Sequence, residues 1–229
     1  RGVFSINALW KNKVAVLFGD FLLSRGLLLA LDHGDYRLLH IVSDAVRRMS
    51  EGELLQIEKA RRLDIDEPTY FRIISDKTAS LIAACTTAGA ASAGADDATQ
   101  ARVREIGEKL GLAFQIRDDL FDYGGVDVGK PLGLDLQEKK LTLPLIAALD
   151  RAPQAERKPI RAIIKKRKKK RADVEAVLAF VKRNGGLDHA RGVMEALTQE
   201  AVESLQTFPP SDARDALIGL AGFMVAREV

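Results

Sequence analysis

The sequence is short of cysteine and aromatics. Its single cysteine, Cys85, excludes a disulfide framework and suits a reducing compartment. Cys85 lies in the apolar stretch SLIAACTTAGAASAG, where it reads as a small buried hydrophobe rather than a nucleophile. Aromatic residues are only 6% of the chain, whereas Ala, Leu, Ile, Lys, Arg and Glu dominate, a mixture that favours helix over strand. Alternating strand patterns are absent, as are the glycine signatures of dinucleotide and P-loop sites. No run of eighteen apolar residues occurs, which predicts no membrane span. The three histidines, His33, His40 and His189, lack the Glu-x-x-His spacing of a di-iron bundle. The chain opens RGVFSINALW, with no initiator methionine, so Arg1 reads as the interior of a longer protein.

What is present is length, apolar content and helical periodicity. The 229 residues, 47% of them hydrophobic, suffice for one domain with a substantial core. Apolar positions recur at helical spacing almost throughout. They predict helices over about 6–31 and 36–62. The Asp66-Glu67-Pro68 start signal opens a third helix reaching about residue 94, and a fourth spans about 99–123. A bend and loop follow, then a short helix near 141–149. Beyond Pro153 come several shorter helices, broken at Gly185-Gly186 and Pro209-Pro210. The small residues of AACTTAGAASAGA would let two helices approach closely. With no linker and no repeat, the reading is an all-α bundle and a single domain over residues 1–229.

Charge is unevenly spread. The run KKRKKKR, Lys165 to Arg171, carries seven positive charges, and subtracting these from the net +3 leaves the rest at −4. Such a run is usually a solvated connection between helices; nucleic acid or an anionic membrane surface is the alternative partner. No aromatics interleave it, which weakens a single-strand binding reading.

The acidic counterpart is GLAFQIRDDLFDYGG, where Asp118, Asp119 and Asp122 close an apolar run. At i and i+4, Asp118 and Asp122 share a helix face, with Asp119 beside them. Like charges this close repel unless a cation holds them. Hard oxygen donors suit Mg²⁺, which takes one or two carboxylates together with phosphate and water. The spacing does not fit an EF-hand loop. Lysines follow at Lys130 and Lys139-Lys140, around Asp135, and Lys77-Thr78 places an ammonium and a hydroxyl in an otherwise apolar helix, where the charge needs a partner. Lysines supply point charges for diphosphate oxygens that a metal leaves over. Taken alone, the aspartates are equally compatible with a solvated helix end.

Five segments, in order, resemble the trans-prenyltransferases of the polyprenyl diphosphate synthase family. These are NALWKNKVAVLFGDFLLSRG, MSEGELLQ, DKTASL, FQIRDDLFD and VGKPLGLDLQEKKLTLPLI, so the resemblance extends over the whole chain. It implies an isoprenoid-synthase-type helical bundle with a central active-site cavity. It further implies Mg²⁺-dependent head-to-tail condensation of isopentenyl diphosphate with an allylic diphosphate, giving a polyprenyl diphosphate of medium or long chain. By that resemblance Asp118, Asp119 and Asp122 would hold Mg²⁺. Lys77, Lys130 and Gln115 would contact the allylic diphosphate, with Thr78 stabilising the developing cation. Lys140, rather than Lys139, matches the family's lysine at its position, and Arg1 would bind isopentenyl diphosphate. The family's first aspartate-rich motif would precede Arg1, so residues 1–229 alone are expected to fall short of a complete metal site.

The family usually forms a homodimer through long helices such as those at the start of this chain. A cytoplasmic location is expected, with at most peripheral membrane contact for product release and no nucleic-acid partner. The apolar stripe of Leu17, Phe18, Phe21 and Leu22 reads first as ordinary core and second as the lining of a product tunnel. Three alternatives stay open. One is a short-chain synthase. Another is a non-catalytic subunit of a heteromeric synthase, against which the intact aspartates and Lys77 argue. The last is a cyclase-like or purely structural bundle.

Overall fold

The computed structural model describes residues 5–124 and 133–226. Among them the chain forms helices and no strand: α1 (Ile6–Asp32), α2 (Tyr36–Arg62), α3 (Glu67–Ile74), α4 (Ser80–Ser92), α5 (Asp97–Phe121), α6 (Leu134–Gln137), α7 (Leu143–Arg151), α8 (Gln154–Lys165), α9 (Arg171–Arg183), α10 (Gly186–Gln206) and α11 (Asp212–Ala226). The all-α bundle expected from periodicity is the fold.

Local chemistry explains the boundaries. Asp66 caps α3 by accepting the Thr69 N–H at 2.9 Å, and Pro68 sits in the first turn, where its missing N–H costs nothing. Asp96 caps α5 in the same way through Thr99, at 2.8 Å. Leu63 ends α2 in the left-handed region, and Gly185 takes the same conformation between α9 and α10. The helix expected from residue 66 to about 94 is not uniform. Between α3 and α4 the five residues Ser75–Ala79 form a wide turn with i→i+5 hydrogen bonding.

Helix α5 is the axis of the bundle, packed between α4 and α10. Its approach to the α3–α4 rod is very close. A methyl group at Gly111 would lie 2.5 Å from the Ala79 Cα, so only glycine fits there. The main core gathers Ile73, Ile116, Leu120, Leu143, Val177 and Val181 around α7, whose residues Leu143 to Leu149 are all buried. A second cluster of Ile106, Leu110, Ala201, Leu205 and Ala221 joins α5 to α10 and α11.

Two expectations fail. Cys85 is exposed rather than buried, because it lies on the outer face of α4 between the inward Ala83 and Thr87. Leu17, Phe21 and Leu22 are 54–56% exposed and Phe18 is half-buried, so among the described residues the α1 stripe is not core. Helix α1 is rich in apolar residues, and among the described residues its main packing partner is α2. By length and composition α1 is apolar enough to cross a membrane, with a mean hydropathy of 1.9 and no buried share in its window. Asp20 and Arg25 divide the stretch, so it holds no uninterrupted run of eighteen apolar residues.

Candidate active site at the C-terminal end of α5

The three aspartates close the last turn of α5 and part company there. Asp118 faces solvent. Asp119 is wholly buried and accepts three hydrogen bonds: from the Tyr70 hydroxyl at 2.8 Å, the Gln115 amide at 2.9 Å and the Lys140 ammonium at 2.9 Å. Asp122 lies just beyond the helix and accepts the backbone N–H groups of Leu134 and Asp135, at 2.8 and 3.1 Å. Its carboxylate thereby caps the single turn of α6, a segment that the sequence reads as loop.

Lys140 donates to Asp119 and, at 3.4 Å, to Asp135. Burial opposes the Lys140 charge, but the Asp119 and Asp135 carboxylates outweigh it and hold the ammonium above its ordinary range. Burial pushes the Asp135 carboxyl up to about 6 against the pull of Lys140, with Asp119 and Asp122 adding repulsion. Asp122 is also raised by burial, countered by its two backbone donors. The Tyr70 phenol is raised by burial and by the adjoining Asp119, so it stays protonated and donates.

The wide turn Ser75–Ala79 carries Lys77 and Thr78 toward the same helix end. The Thr78 hydroxyl donates to the Gln115 carbonyl oxygen at 2.9 Å, and the Gln115 amide donates to Asp119. One line of hydrogen bonds therefore runs Thr78–Gln115–Asp119–Lys140. Lys77 finds the partner that its charge requires on α2: Glu53 at 2.6 Å and Gln56 at 3.2 Å. The predicted Thr78, Gln115, Asp119 and Lys140 are thus brought together; Lys77 adjoins Thr78 in the chain but holds its ammonium on α2, and Asp118 and Asp122 lie at the end of α5. Arg1 and Lys130 lie outside the described residues.

Reasoning from the sequence missed Tyr70, Glu53 and Asp135 as members of this network. Tyr70 carried a signal only in hindsight of burial, since a phenol in an apolar helix needs a partner. Glu53 and Gln56 sit three apart in SEGELLQ, one face of α2.

The donor set bears on a metal directly. Among the described residues no three carboxylate, histidine or cysteine groups converge as a ready cation cage. The Asp119 oxygens are occupied by three protein donors, so this carboxylate is the anchor of the network. The exposed Asp118 carboxylate is a hard oxygen donor, and Asp122, whose two oxygens each accept one backbone N–H, keeps lone pairs for a cation; one turn apart, they fit Mg²⁺ in its usual mode of one or two carboxylates plus phosphate.

Elsewhere, the basic run joins α8 to α9 and is partly neutralised: Lys166 pairs with Asp173 at 2.5 Å and Arg171 with Glu175 at 2.8 Å. Lys169 is buried, and its backbone N–H and C=O are both bound by the Gln137 side chain. A cavity of about 420 Å³ between the end of α2, α7 and α8 is lined by Leu63, Leu141, Ile146 and Arg161 among others, and holds none of the predicted site residues.

Comparison with known proteins identifies the family of the chain. Residues 1–181 match the family described as polyprenyl synthetase. The chain is similar to the octaprenyl diphosphate synthase of Escherichia coli, 35% identical over all of this chain and 71% of that protein. It is also similar to the short chain isoprenyl diphosphate synthase of Methanothermobacter thermautotrophicus, 36% identical over all of this chain and 71% of that protein. Among solved structures it resembles a polyprenyl synthase from Caulobacter crescentus complexed with calcium and isoprenyl diphosphate. The TM-score is 0.88 at 37% identity, covering 97% of this chain and 69% of that one.

Proposed function

The chain belongs to the polyprenyl synthetase family and is a prenyltransferase, and from that premise we propose that it adds isopentenyl units to an allylic diphosphate to build a medium or long polyprenyl chain. The reaction breaks the allylic C–O bond, forms a C–C bond from the isopentenyl double bond to the resulting cation, and releases a proton to the departing diphosphate.

The observation that carries the site assignment is the line Thr78–Gln115–Asp119–Lys140. It ties the turn bearing Lys77 and Thr78 to the aspartates through buried, fixed dipoles. Preorganised dipoles stabilise developing charge without reorganising at the moment of reaction. Lys77 exchanges Glu53 and Gln56 for diphosphate oxygens. The Thr78 hydroxyl, whose proton is donated to Gln115, turns the partial negative charge of its oxygen toward the allylic cation, and Gln115 contacts the diphosphate in this reading. Lys140, held charged by Asp119 and Asp135, fixes the anchor carboxylate. Asp118 and Asp122 would hold Mg²⁺, which supplies electrostatic stabilisation of the leaving diphosphate when bound. Arg1 and Lys130 complete the diphosphate contacts in this reading.

We further propose one catalytic domain and a cytoplasmic homodimer. The exposed apolar faces of α1, with Leu9, Val16, Leu17 and Phe21 each more than half exposed, support self-association.

The test supplies farnesyl diphosphate, labelled isopentenyl diphosphate and Mg²⁺, then sizes the extracted products. A ladder ending at a length beyond twenty carbons is expected. Products ending at that length or below would establish a short-chain synthase instead. No elongation by the folded full-length protein would remove the catalytic reading for this chain.

A further inference from the structure

The wide turn at Ser75–Ala79 has a partner that no catalytic role accounts for: the face of α2 one to two turns before Glu53 and Gln56. Arg48 and Gly52 stand at i and i+4, so they share that face, with Gln56 a further turn on. The Arg48 guanidinium reaches across with its Nε on Asp76 at 2.8 Å and its Nη2 on the Ser75 hydroxyl at 2.9 Å. The same Nη2 meets Glu108 of α5 at 3.3 Å, and the Ser75 hydroxyl donates to Glu108 at 2.5 Å. Two helices, α2 and α5, thus close on the first two residues of the turn, around a guanidinium only 16% exposed.

Gly52 makes the second grip by what it lacks. A Cβ at that position would lie 2.7 Å from the Lys77 backbone nitrogen and 3.0 Å from the Asp76 Cβ. The nearest atom is backbone, so it cannot swing aside as a flexible side chain would. The α2 backbone therefore rests directly on the turn at the residue whose side chain is the proposed diphosphate ligand. A turn with one extra residue is a matter of register. Relaxing it to a regular α-helical turn would rotate the following side chains by about 100°, the angle per residue of an α-helix. Lys77 and Thr78 would then leave their directions toward Glu53 and Gln115.

We infer that Arg48 and Gly52 are positioning residues that hold the wide turn in register, and so set the affinity for the allylic diphosphate. This rests on the reading of Lys77 as a diphosphate ligand. Arg48 acts by gripping Asp76 and Ser75 with two nitrogens of one planar group, which a lysine ammonium cannot reproduce in the same geometry. Gly52 acts by close approach. Neither touches substrate.

The experiment measures binding of inorganic diphosphate with Mg²⁺ by calorimetry, together with the KM for each substrate, in the full-length protein. The variants are Gly52→Ala, Arg48→Met, Arg48→Lys and, as reference, Lys77→Ala. Gly52→Ala and Arg48→Met should weaken diphosphate binding at least tenfold and raise the KM for the allylic diphosphate, with the KM for isopentenyl diphosphate unchanged. Arg48→Lys should recover only part of the loss. Backbone amide exchange over Ser75–Ala79 should accelerate in the same variants. If Gly52→Ala does not fold, the two Arg48 variants decide the matter alone. Weakened binding in Lys77→Ala with unchanged binding in the Arg48 and Gly52 variants overturns the inference and leaves the site reading intact. A uniform rise in both KM values also overturns it. Unchanged binding in Lys77→Ala overturns the site reading itself, and the inference with it.

Discussion

Asp119 and Lys140 meet at 2.9 Å at the base of the site, the carboxylate wholly buried and the ammonium one-fifth exposed. A buried pair of this kind is more informative when broken than when counted. Removing one partner leaves an uncompensated charge, which costs about 3–5 kcal/mol. Asp119→Ala should therefore lower unfolding stability by about that much in a denaturant titration, as well as abolish Mg²⁺-dependent turnover. Asp119→Asn combined with Lys140→Met should cost clearly less than the two single changes added together, because the pair is removed as a unit. Additive costs would show that the pair is not coupled, and unchanged turnover in Asp119→Ala would sink the site assignment.

Asp118 should behave in the opposite way. Its carboxylate is exposed, and surface substitutions of this kind usually change stability by less than about 0.5 kcal/mol. Asp118→Ala should leave the thermal midpoint nearly unchanged while raising the Mg²⁺ concentration for half-maximal turnover at least tenfold. A chelator should abolish turnover in the unsubstituted protein, and added Mg²⁺ should restore it. An unaltered Mg²⁺ requirement in Asp118→Ala would show that this carboxylate does not face the metal.

These contrasts mark what the sequence disclosed and what it did not. Helix α2 was legible to the residue, because its periodic face ends where Leu63 turns left-handed and the Asp66 cap of α3 follows. The adjacency of Asp118, Asp119 and Asp122 was legible from helical spacing. Their different fates were not. Asp119 is buried by Tyr70, 49 residues earlier, and by Lys140, 21 residues later. Such contacts belong to the packing of α3 and α5, not to any local pattern. The four-residue α6 was invisible for a related reason: its nucleus is the Asp122 carboxylate, supplied from outside the segment. The wide turn carries no period of its own, and only Gly52 and Arg48 on another helix reveal why it is stable there.

The caps of α3 and α5 make a pH-dependent contribution whose sign is fixed. Hydrogen bonds from Thr69 hold the Asp66 carboxyl below its ordinary value of 3.8, and those from Thr99 do the same for Asp96. A depressed folded-state value means that the stabilisation is present above pH 3.8 and is lost as pH falls through the folded value. Asp66→Ala and Asp96→Ala should each lower the thermal midpoint at pH 7, and the gap to the unsubstituted protein should narrow below about pH 4, near the reference aspartate value. Asp66→Asn keeps the acceptor and removes the titration, so its gap should be smaller at pH 7 and flatter with pH. A gap that widened on acidification would contradict the capping role.

The exposed face of α1 gives the test of self-association. Leu17 and Phe21 lie one turn apart, each 56% exposed, with Val16 beside them 62% exposed and Leu9, 61% exposed, before the break in α1 at Lys11. Apolar area of this extent on one element costs about 25 cal/mol for each Å² left in water, and among the described residues α2 is the main element packed on α1. A second copy pairing α1 with its symmetry mate would cover the face in an isologous contact, the commonest arrangement of soluble oligomers. Sedimentation equilibrium should report a dimer for the unsubstituted protein. Leu17→Glu with Phe21→Glu should shift it to monomer, since a twofold contact places each new charge near its own copy. The variant should keep the helical content of the parent, because neither residue contributes to the core. A monomer before substitution, or a dimer that survives both charges, would move the interface off α1. In that case the membrane, which α1 is also long and apolar enough to enter, becomes the partner to test with vesicles.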